Sequence, residues 1–361
     1  MRIYQVLSSF SYGDAIGNVV CAMKAVVKQM GYETEVFAET IDSKLPAGSG
    51  ILINKMPDLK PDDIVIYHLS NGTKLNRLFG KWNCRKIVYY HNITPPDFFE
   101  GYNPGAQLDC HKGLRDAKYL ADKVDYCLAV SEFNRQNLIE MGYRQKIDVL
   151  PILIPYQDYK QEPDMEIINK YSDGNTNILF AGRIVPNKKF EDIIQSFYYY
   201  KKYINTGARL FLVGKHGEAD VYYEELVSYV KRLELEDVYF TGHIKFNQIL
   251  AYYHIANIFM CLSEHEGFCV PLVEAMYFGI PIIAYNSSAI ADTLGDGGML
   301  TNDKSPKLVA EMVDCLVSNQ KVREYIIEQQ KKQLQRFEYD RVTGLFELYL
   351  KRFLAEGQGE N

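Results

Sequence analysis

The sequence predicts an α/β protein built of two doubly wound, Rossmann-like halves. Three observations predict it. Short apolar runs alternate with amphipathic runs of helical period almost throughout; the alternation restarts after "YSDGNTN"; and Pro151 and Pro155 interrupt an extended run between the two stretches. Strands separated by helices imply right-handed βαβ units and a parallel sheet. A chain of 361 residues also exceeds one comfortable core. The expected domains are 1–155 and 156–339, facing each other across a cleft, with a last helix at about 340–361 packing back on the first.

In chain order, "RIYQVLS" reads as the first strand and "GNVVCAMKAVVKQMG" as a helix closing on Gly31. "ETEVFAE", "DIVIYHLS", "RKIVYYHN" and "DYCLAVS" read as short buried strands. "KIDVLPILIPYQDY" adds one more strand before the proline hinge. In the second half "ILFAGRI", "ARLFLVG", "DVYFTG", "NIFMCLS" and "IPIIAYN" are strands. Between them "KKFEDIIQSFYYYKKY", "YYEELVSYVKRL" and "QILAYYHIA" are helices. The chain closes on "PKLVAEMVDCLVS", "KVREYIIEQQKKQLQRF" and "RVTGLFELYLKRFLA", all amphipathic. Tyrosine clusters in these helices read as coats on helix faces, rings inward and hydroxyls wet.

Composition excludes several classes. The net charge of −6 argues against a general nucleic-acid binder. No apolar run is long enough for a transmembrane helix, and "MRIYQVLSSF" lacks the flanks of a signal peptide. Seven scattered cysteines without a C-x-x-C pair fit a reducing compartment and no zinc site. The first half is near neutral and the second carries the excess acid. Between Asp63 and Asp97 there is no acid, while Lys74, Arg77, Lys81, Arg85 and Lys86 fall there among Leu75, Leu78, Phe79 and Trp82. A helix packed on the sheet explains this pattern; peripheral membrane contact through 74–86 is the sharper alternative.

Two stretches carry chemistry. In "LFAGRIVPNKKF", Arg183 and Lys188 stand just beyond a strand, with Gly182 permitting close backbone approach. Two cations at the lip of a parallel sheet suit a diphosphate: a guanidinium forks onto two oxygens and an ammonium acts as a point charge. In "SEHEGFCVPLVEAM", Glu266 lies in a loop after a strand, and Pro271 opens a helix at its first position. That helix carries Glu274 about one turn in and stops at Gly279. Its N-terminus offers backbone N–H groups to an anion. The two carboxylates cannot point at the same atoms, so each serves hydroxyls of a different group. A sugar nucleotide has that layout of sugar, diphosphate and ribose. For each residue taken singly the ordinary alternative is packing or solvation.

The strand followed by E-G-F-x-x-P-x-x-x-E and "FGIPIIA", together with "AGRIVPNKK", "LVGKHG", "VYFTGHI", "YYHNITPPDFF" and "SYGDAIGN", resembles the retaining glycosyltransferases of family 4, the group 1 enzymes with the GT-B fold. The resemblance covers essentially the whole chain. It implies a catalytic set of Arg183, Lys188, Glu266 and His91. Arg183 and Lys188 would neutralise the diphosphate, Glu266 would accept from hydroxyls of the transferred sugar, and His91 would face that sugar. Glu274 would hold the ribose, and Gly267, Phe268 and Cys269 would offer backbone N–H groups. Gly13 and Gly17 would approach the diphosphate and acceptor, and the backbone at His243 and Ile244 would meet the base.

Two departures stand out. The first loop reads Gly-Asp-Ala-Ile-Gly rather than paired glycines, and Lys189 stands where a glycine often follows the clamp lysine. With no D-x-D in the chain, the resemblance implies no metal and no other cofactor. The partners expected are a nucleotide-sugar donor and a glycan or lipid-linked acceptor, at a cytoplasmic location. Three rivals stay open: a glycoside hydrolase using the two acids, a sugar-nucleotide 2-epimerase of the same architecture, and a non-catalytic nucleotide-sugar-binding partner subunit.

Overall fold

The computed structural model describes residues 1–11, 13–217 and 220–356. They form two compact units. The first comprises 1–97, 105–155 and the chain from 337; the second comprises 98–104 and 156–336.

The first unit holds seven parallel strands, β1 (Ile3–Phe10), β2 (Val36–Ile41), β3 (Ile51–Leu52), β4 (Ile64–Leu69), β5 (Arg85–Tyr90), β6 (Tyr126–Ala129) and β7 (Ile147–Val149). Their order across the sheet is β3-β2-β1-β4-β5-β6-β7. Every residue of β4 is buried, as a strand covered on both faces requires. Helix α1 (Ala15–Gln29) buries Val19, Val20, Met23, Val26 and Val27, one stripe at helical spacing. Gly31, at φ +85°, ends it in the left-handed region.

Helix α2 (Lys74–Phe79) is only six residues long, opened by a Thr73–Asn76 capping box. It buries Leu75 and Phe79. Helices α3 (Pro104–Leu120) and α4 (Glu132–Glu140) follow. The basic stretch is largely spent inside this unit. Arg77 pairs with Asp116 at 2.6 Å, Arg85 stacks over the Phe353 ring at 3.9 Å, and Lys86 donates to the Trp82 carbonyl at 2.8 Å. Lys74, Leu78 and Lys81 remain exposed, and a membrane contact would rest on those three. Among the described residues no helix is long and apolar enough to cross a membrane.

The second unit holds six parallel strands, β8 (Asn177–Ala181), β9 (Arg209–Val213), β10 (Val238–Gly242), β11 (Ile258–Cys261), β12 (Ile282–Tyr285) and β13 (Met299–Thr301), ordered β10-β9-β8-β11-β12-β13. Its helices are α5 (Met165–Tyr171), α6 (Phe190–Tyr203), α7 (Val221–Arg232), α8 (Phe246–Ile255), α9 (Val270–Tyr277), α10 (Ile290–Leu294), α11 (Pro306–Ser318) and α12 (Gln320–Leu334). One continuous core fills the unit, from Phe180, Phe190 and Phe211 to Met260, Leu272 and Ile283. The last helix, α13 (Tyr339–Glu356), belongs to the first unit, where the Phe353 ring stacks on Tyr126 and Arg352 pairs with Asp148. Residues 357–361 of the helix expected at 340–361 lie outside the described residues.

Both strand orders reverse once, between β1 and β4 and between β8 and β11. Loops leave the carboxyl ends of such neighbours in opposite directions, and ligands of doubly wound sheets bind in the crevice that results. Each unit is a doubly wound, Rossmann-like α/β domain.

Candidate functional site

In the second unit the loops after β8 and β11 build one constellation at that reversal. Two glycines let the backbone pass. A Cβ on Gly214 would stand 1.8 Å from the Gly182 carbonyl oxygen, and a Cβ on Gly182 would press on the Lys188 side chain at 3.3 Å. The Asn187 amide donates to the His265 carbonyl at 2.8 Å, and the Glu264 N–H donates to the Asn187 carbonyl at 2.9 Å. Thus stitched, the loops bring Lys188 Nζ to 2.5 Å from Glu266 Oε1, both side chains about nine-tenths buried. The Ser263 hydroxyl donates to the same oxygen at 3.0 Å, and the Glu266 N–H donates to the Ser288 hydroxyl at 2.8 Å.

Burial alone would lower the Lys188 pKa, but the Glu266 charge outweighs it and holds the ammonium above its ordinary value. Arg183, the other expected clamp cation, is exposed and makes no ion pair among the described residues. Lys189 has φ +51°, which explains why a glycine suits the position, and its ammonium pairs with Glu191 at 2.8 Å.

Helix α9 starts at Val270, so Pro271 occupies its second position rather than the first; its missing N–H would be unpaired at either. Cys269, at φ +69°, precedes the helix, and Gly279, at φ +65°, follows it. The buried Phe268 carbonyl accepts from the Thr293 hydroxyl at 2.6 Å, which anchors the Gly267–Cys269 turn. Glu274 points to two buried tyrosines. Tyr159 donates to Oε1 at 3.0 Å and Tyr253 to Oε2 at 2.6 Å. Burial raises the carboxyl pKa, partly offset by the Tyr253 and Tyr159 hydroxyls. His243 is exposed just past β10, while Ile244 packs against the core.

In the first unit Gly13 is exposed at φ +71°, a conformation costly for other residues, with open space where a Cβ would be. Gly17 is buried in the first turn of α1, where a Cβ would stand 3.0 Å from the Ser11 carbonyl oxygen and 3.3 Å from the Phe10 ring. His91 follows β5, its backbone N–H bonded to the Leu69 carbonyl at 2.9 Å. Its Nε2 lies 2.9 Å from Nδ1 of the buried His68, whose Nε2 lies 3.0 Å from Gln5 Oε1, and its own Nδ1 is buried with no partner among the described residues.

Sequence reasoning missed Ser263, Tyr159, Tyr253, His68 and Gln5. Tyr253 was expected to coat a helix face with a wet hydroxyl; instead the hydroxyl is buried on Glu274. Gln5 and His68 carried one signal, a polar residue inside an otherwise apolar buried strand.

Among the described residues one group could in principle hold a metal. Cys261 Sγ, Cys269 Sγ and a Glu266 carboxylate oxygen lie within 4.8 Å of one another. The cysteines are eight positions apart, so no spacing motif announces them. The Lys188 ammonium already neutralises the carboxylate there, and Cys261 Sγ is engaged with the Ser263 hydroxyl at 3.5 Å and Cys269 Sγ at 4.0 Å.

Residues 161–333 match the family model described as glycosyl transferases, group 1. An uncharacterized glycosyltransferase of Methanocaldococcus jannaschii is 22% identical, over 97% of this chain and 99% of its own. The O-antigen chain mannosyltransferase B of Escherichia coli is 23% identical over 77% of this chain and 72% of its own. Among solved structures, Anabaena HepE in complex with UDP and glucose superposes with TM-score 0.74 at 19% identity, covering 98% of this chain and all of that one. The sucrose-phosphate synthase of Thermosynechococcus elongatus gives 0.75 at 14% identity, covering 98% of this chain and all of that one. The structures share the GT-B fold, and the family model and relatives support a group 1 glycosyltransferase.

Proposed function

We propose that the chain is a retaining glycosyltransferase of family 4 that moves a sugar from a nucleoside-diphosphate sugar to a hydroxyl of a glycan or lipid-linked oligosaccharide in cell-surface polysaccharide synthesis. The observation that carries this reading is the Lys188–Glu266 pair at the strand-order reversal of the second unit, 2.5 Å apart, with the exposed Arg183 close by in sequence. A charge pair so placed can serve both ends of the scissile bond. Lys188 and Arg183 meet the diphosphate, and the second Glu266 oxygen accepts from hydroxyls of the sugar. Glu274 receives the ribose hydroxyls, His243 and Ile244 meet the base, and the turn at Gly267–Cys269 lends backbone N–H groups.

In the step proposed, the bond from the anomeric carbon to the diphosphate oxygen breaks and its electron pair leaves with the diphosphate. The acceptor oxygen bonds to the same carbon on the same face, and its proton passes to the departing phosphate oxygen. Cations fixed before the reaction stabilise the charge that grows there without reorganising. The protein supplies them itself, so no metal takes part. The capsular polysaccharide biosynthesis glycosyltransferase CapM of Staphylococcus aureus, 24% identical over 71% of this chain and 70% of its own, supports this reading.

The test is a thermal-shift screen over UDP-glucose, UDP-N-acetylglucosamine and GDP-mannose, followed by NMR of the anomeric proton of the product. Stabilisation by one donor and transfer with retained configuration are expected. Interconversion of the donor sugar with no acceptor present would establish the epimerase instead, and no stabilisation by any sugar nucleotide would overturn the reading.

A further inference from the structure

Cys261 and Cys269 meet inside the second unit, their sulfurs 4.0 Å apart. Cys261 is the last residue of β11, in register with Ala284 of β12, and is wholly buried. Cys269 precedes α9 at φ +69° and is 5% exposed. That left-handed conformation is costly for a residue with a Cβ. One thiol thus sits on a strand bonded to β8 and β12, the other on a strained turn. The turn is the part that can give.

The two sulfurs connect to the charge pair described above. Cys261 Sγ lies 3.5 Å from the Ser263 hydroxyl, that hydroxyl donates to Glu266 Oε1 at 3.0 Å, and Lys188 Nζ is 2.5 Å from the same oxygen. The Lys188 and Glu266 side chains are about one-tenth exposed, so a polar path leads from the surface to the sulfurs. A large reagent cannot follow it, but hydrogen peroxide is close to water in size. The thiols are also unlike each other. Cys269 donates to Cys261, and that bond, helped by the Lys188 charge, lowers the Cys261 pKa against burial while it raises that of Cys269. A thiolate-forming sulfur beside a second thiol is the arrangement of an attacking and a resolving cysteine.

We propose that Cys261 and Cys269 form a peroxide-sensitive switch whose closure to a disulfide displaces the Gly267–Cys269 turn and weakens nucleotide binding to the second unit. The Cys261 thiolate attacks one peroxide oxygen, the O–O bond breaks, and a sulfenic acid forms as hydroxide leaves and takes the Cys269 proton. The Cys269 thiolate then attacks the Cys261 sulfur, and the displaced hydroxide leaves as water with the proton that Cys261 first gave up. Two thiols and one hydrogen peroxide become one disulfide and two waters; the sulfurs lose two electrons and the peroxide gains them.

Bonded sulfurs stand at about 2.05 Å, so the two must approach by about 2 Å. With β11 held in the sheet, the movement falls on Cys269. It pulls on the Phe268 carbonyl, which accepts from the Thr293 hydroxyl at 2.6 Å, and on Glu266, whose N–H donates to the Ser288 hydroxyl at 2.8 Å. The nucleotide as the ligand lost rests on the function proposed above; the dithiol chemistry does not.

The test uses the full chain, first reduced and then treated with hydrogen peroxide. Peptide mapping by mass spectrometry without reductant reads the thiols, and calorimetric titration with UDP and with GDP reads binding. A disulfide between Cys261 and Cys269 should form. Affinity for the diphosphate that binds should fall about tenfold or more, the scale of one charge-assisted hydrogen bond. Dithiothreitol should reverse both changes. Cys261→Ser should keep the reduced affinity and lose its response to peroxide.

Oxidation of the exposed Cys21 with the pair left as thiols overturns the switch, and this reading of the wild type needs no variant to fold. A disulfide with unchanged affinity overturns its effect on binding. Sulfinic acid at Cys261 without a disulfide overturns Cys269 as the resolving thiol. A peroxide response that persists in Cys261→Ser assigns the loss to another cysteine. A reduced chain that binds neither diphosphate overturns the proposed function, while the mapped disulfide still decides the chemistry of the pair.

Discussion

Removing one member of the Lys188–Glu266 pair should have opposite consequences according to which member goes. In Glu266→Gln the ammonium stays where it is and loses its counter-ion. Burial without a counter-ion lowers the ammonium's pKa, so neutralising it at pH 7 would cost less than the roughly 5 kcal/mol of an exposed lysine, and a bound diphosphate favours the charged form. Breaking a fully buried pair costs about 3–5 kcal/mol. Here both groups are about one-tenth exposed, and the glutamine oxygen can still accept, so about 2 kcal/mol is the better figure. The second unit should then melt roughly 4–8 °C lower. A diphosphate returns the missing negative charge, so binding should recover that energy. Nucleoside-diphosphate affinity in Glu266→Gln should rise by up to about 30-fold, and the saturated variant should melt close to the saturated wild type. Lys188→Met loses the charge-assisted contact itself, worth about 1.5–3 kcal/mol, and affinity should fall about 10- to 150-fold. Calorimetric titration and scanning calorimetry of both variants, with and without the nucleotide, measure all of this. Weaker nucleotide binding in both variants to the same extent would refute the reasoning.

Glu274→Gln should weaken both the free diphosphate and the intact donor by about tenfold or more, since both contain ribose; calorimetry with each ligand checks it. Tyr159→Phe should do less, because it removes only a donor that competes for the same oxygen. Transfer should survive excess EDTA to within a few-fold, as followed by product formation before and after adding Mg²⁺; full loss with Mg²⁺ rescue would contradict the proposal. Away from the site, Asp63 accepts from Arg2 and from the Lys60 N–H. Burial would raise its pKa, but these bonds prevail and pull it down to about 2. A carboxylate whose folded pKa lies below its unfolded one stabilises above the unfolded value and stops doing so as pH falls through the folded one. Asp63→Asn should therefore lower the urea midpoint at pH 7 and lose that difference between about pH 4 and pH 2.

What the sequence displayed and what it hid divide along a physical line. The alternation of apolar and amphipathic runs follows from a parallel sheet covered on both faces, so "DIVIYHLS" and "NIFMCLS" were legible as β4 and β11. Proline and glycine punctuation around α9 was equally open, because those backbone angles leave few other choices. Short edge strands such as β3, with two residues, carry too little pattern to read. The site split the same way. Glu266 and Glu274 showed themselves because one loop and one helix carry both. The Lys188–Glu266 pair joins residues 78 positions apart, and no local pattern can announce that the clamp lysine takes Glu266 as counter-ion. Tyr159 and Glu274 are 115 apart. The same holds for the line from Gln5 to His91, which exists only once β1, β4 and β5 lie side by side. Yet its polar members could have been flagged, since a glutamine and a histidine among buried strand neighbours must find partners. Buried polar residues in otherwise apolar strands are thus the places where a sequence of this class conceals its cross-strand chemistry.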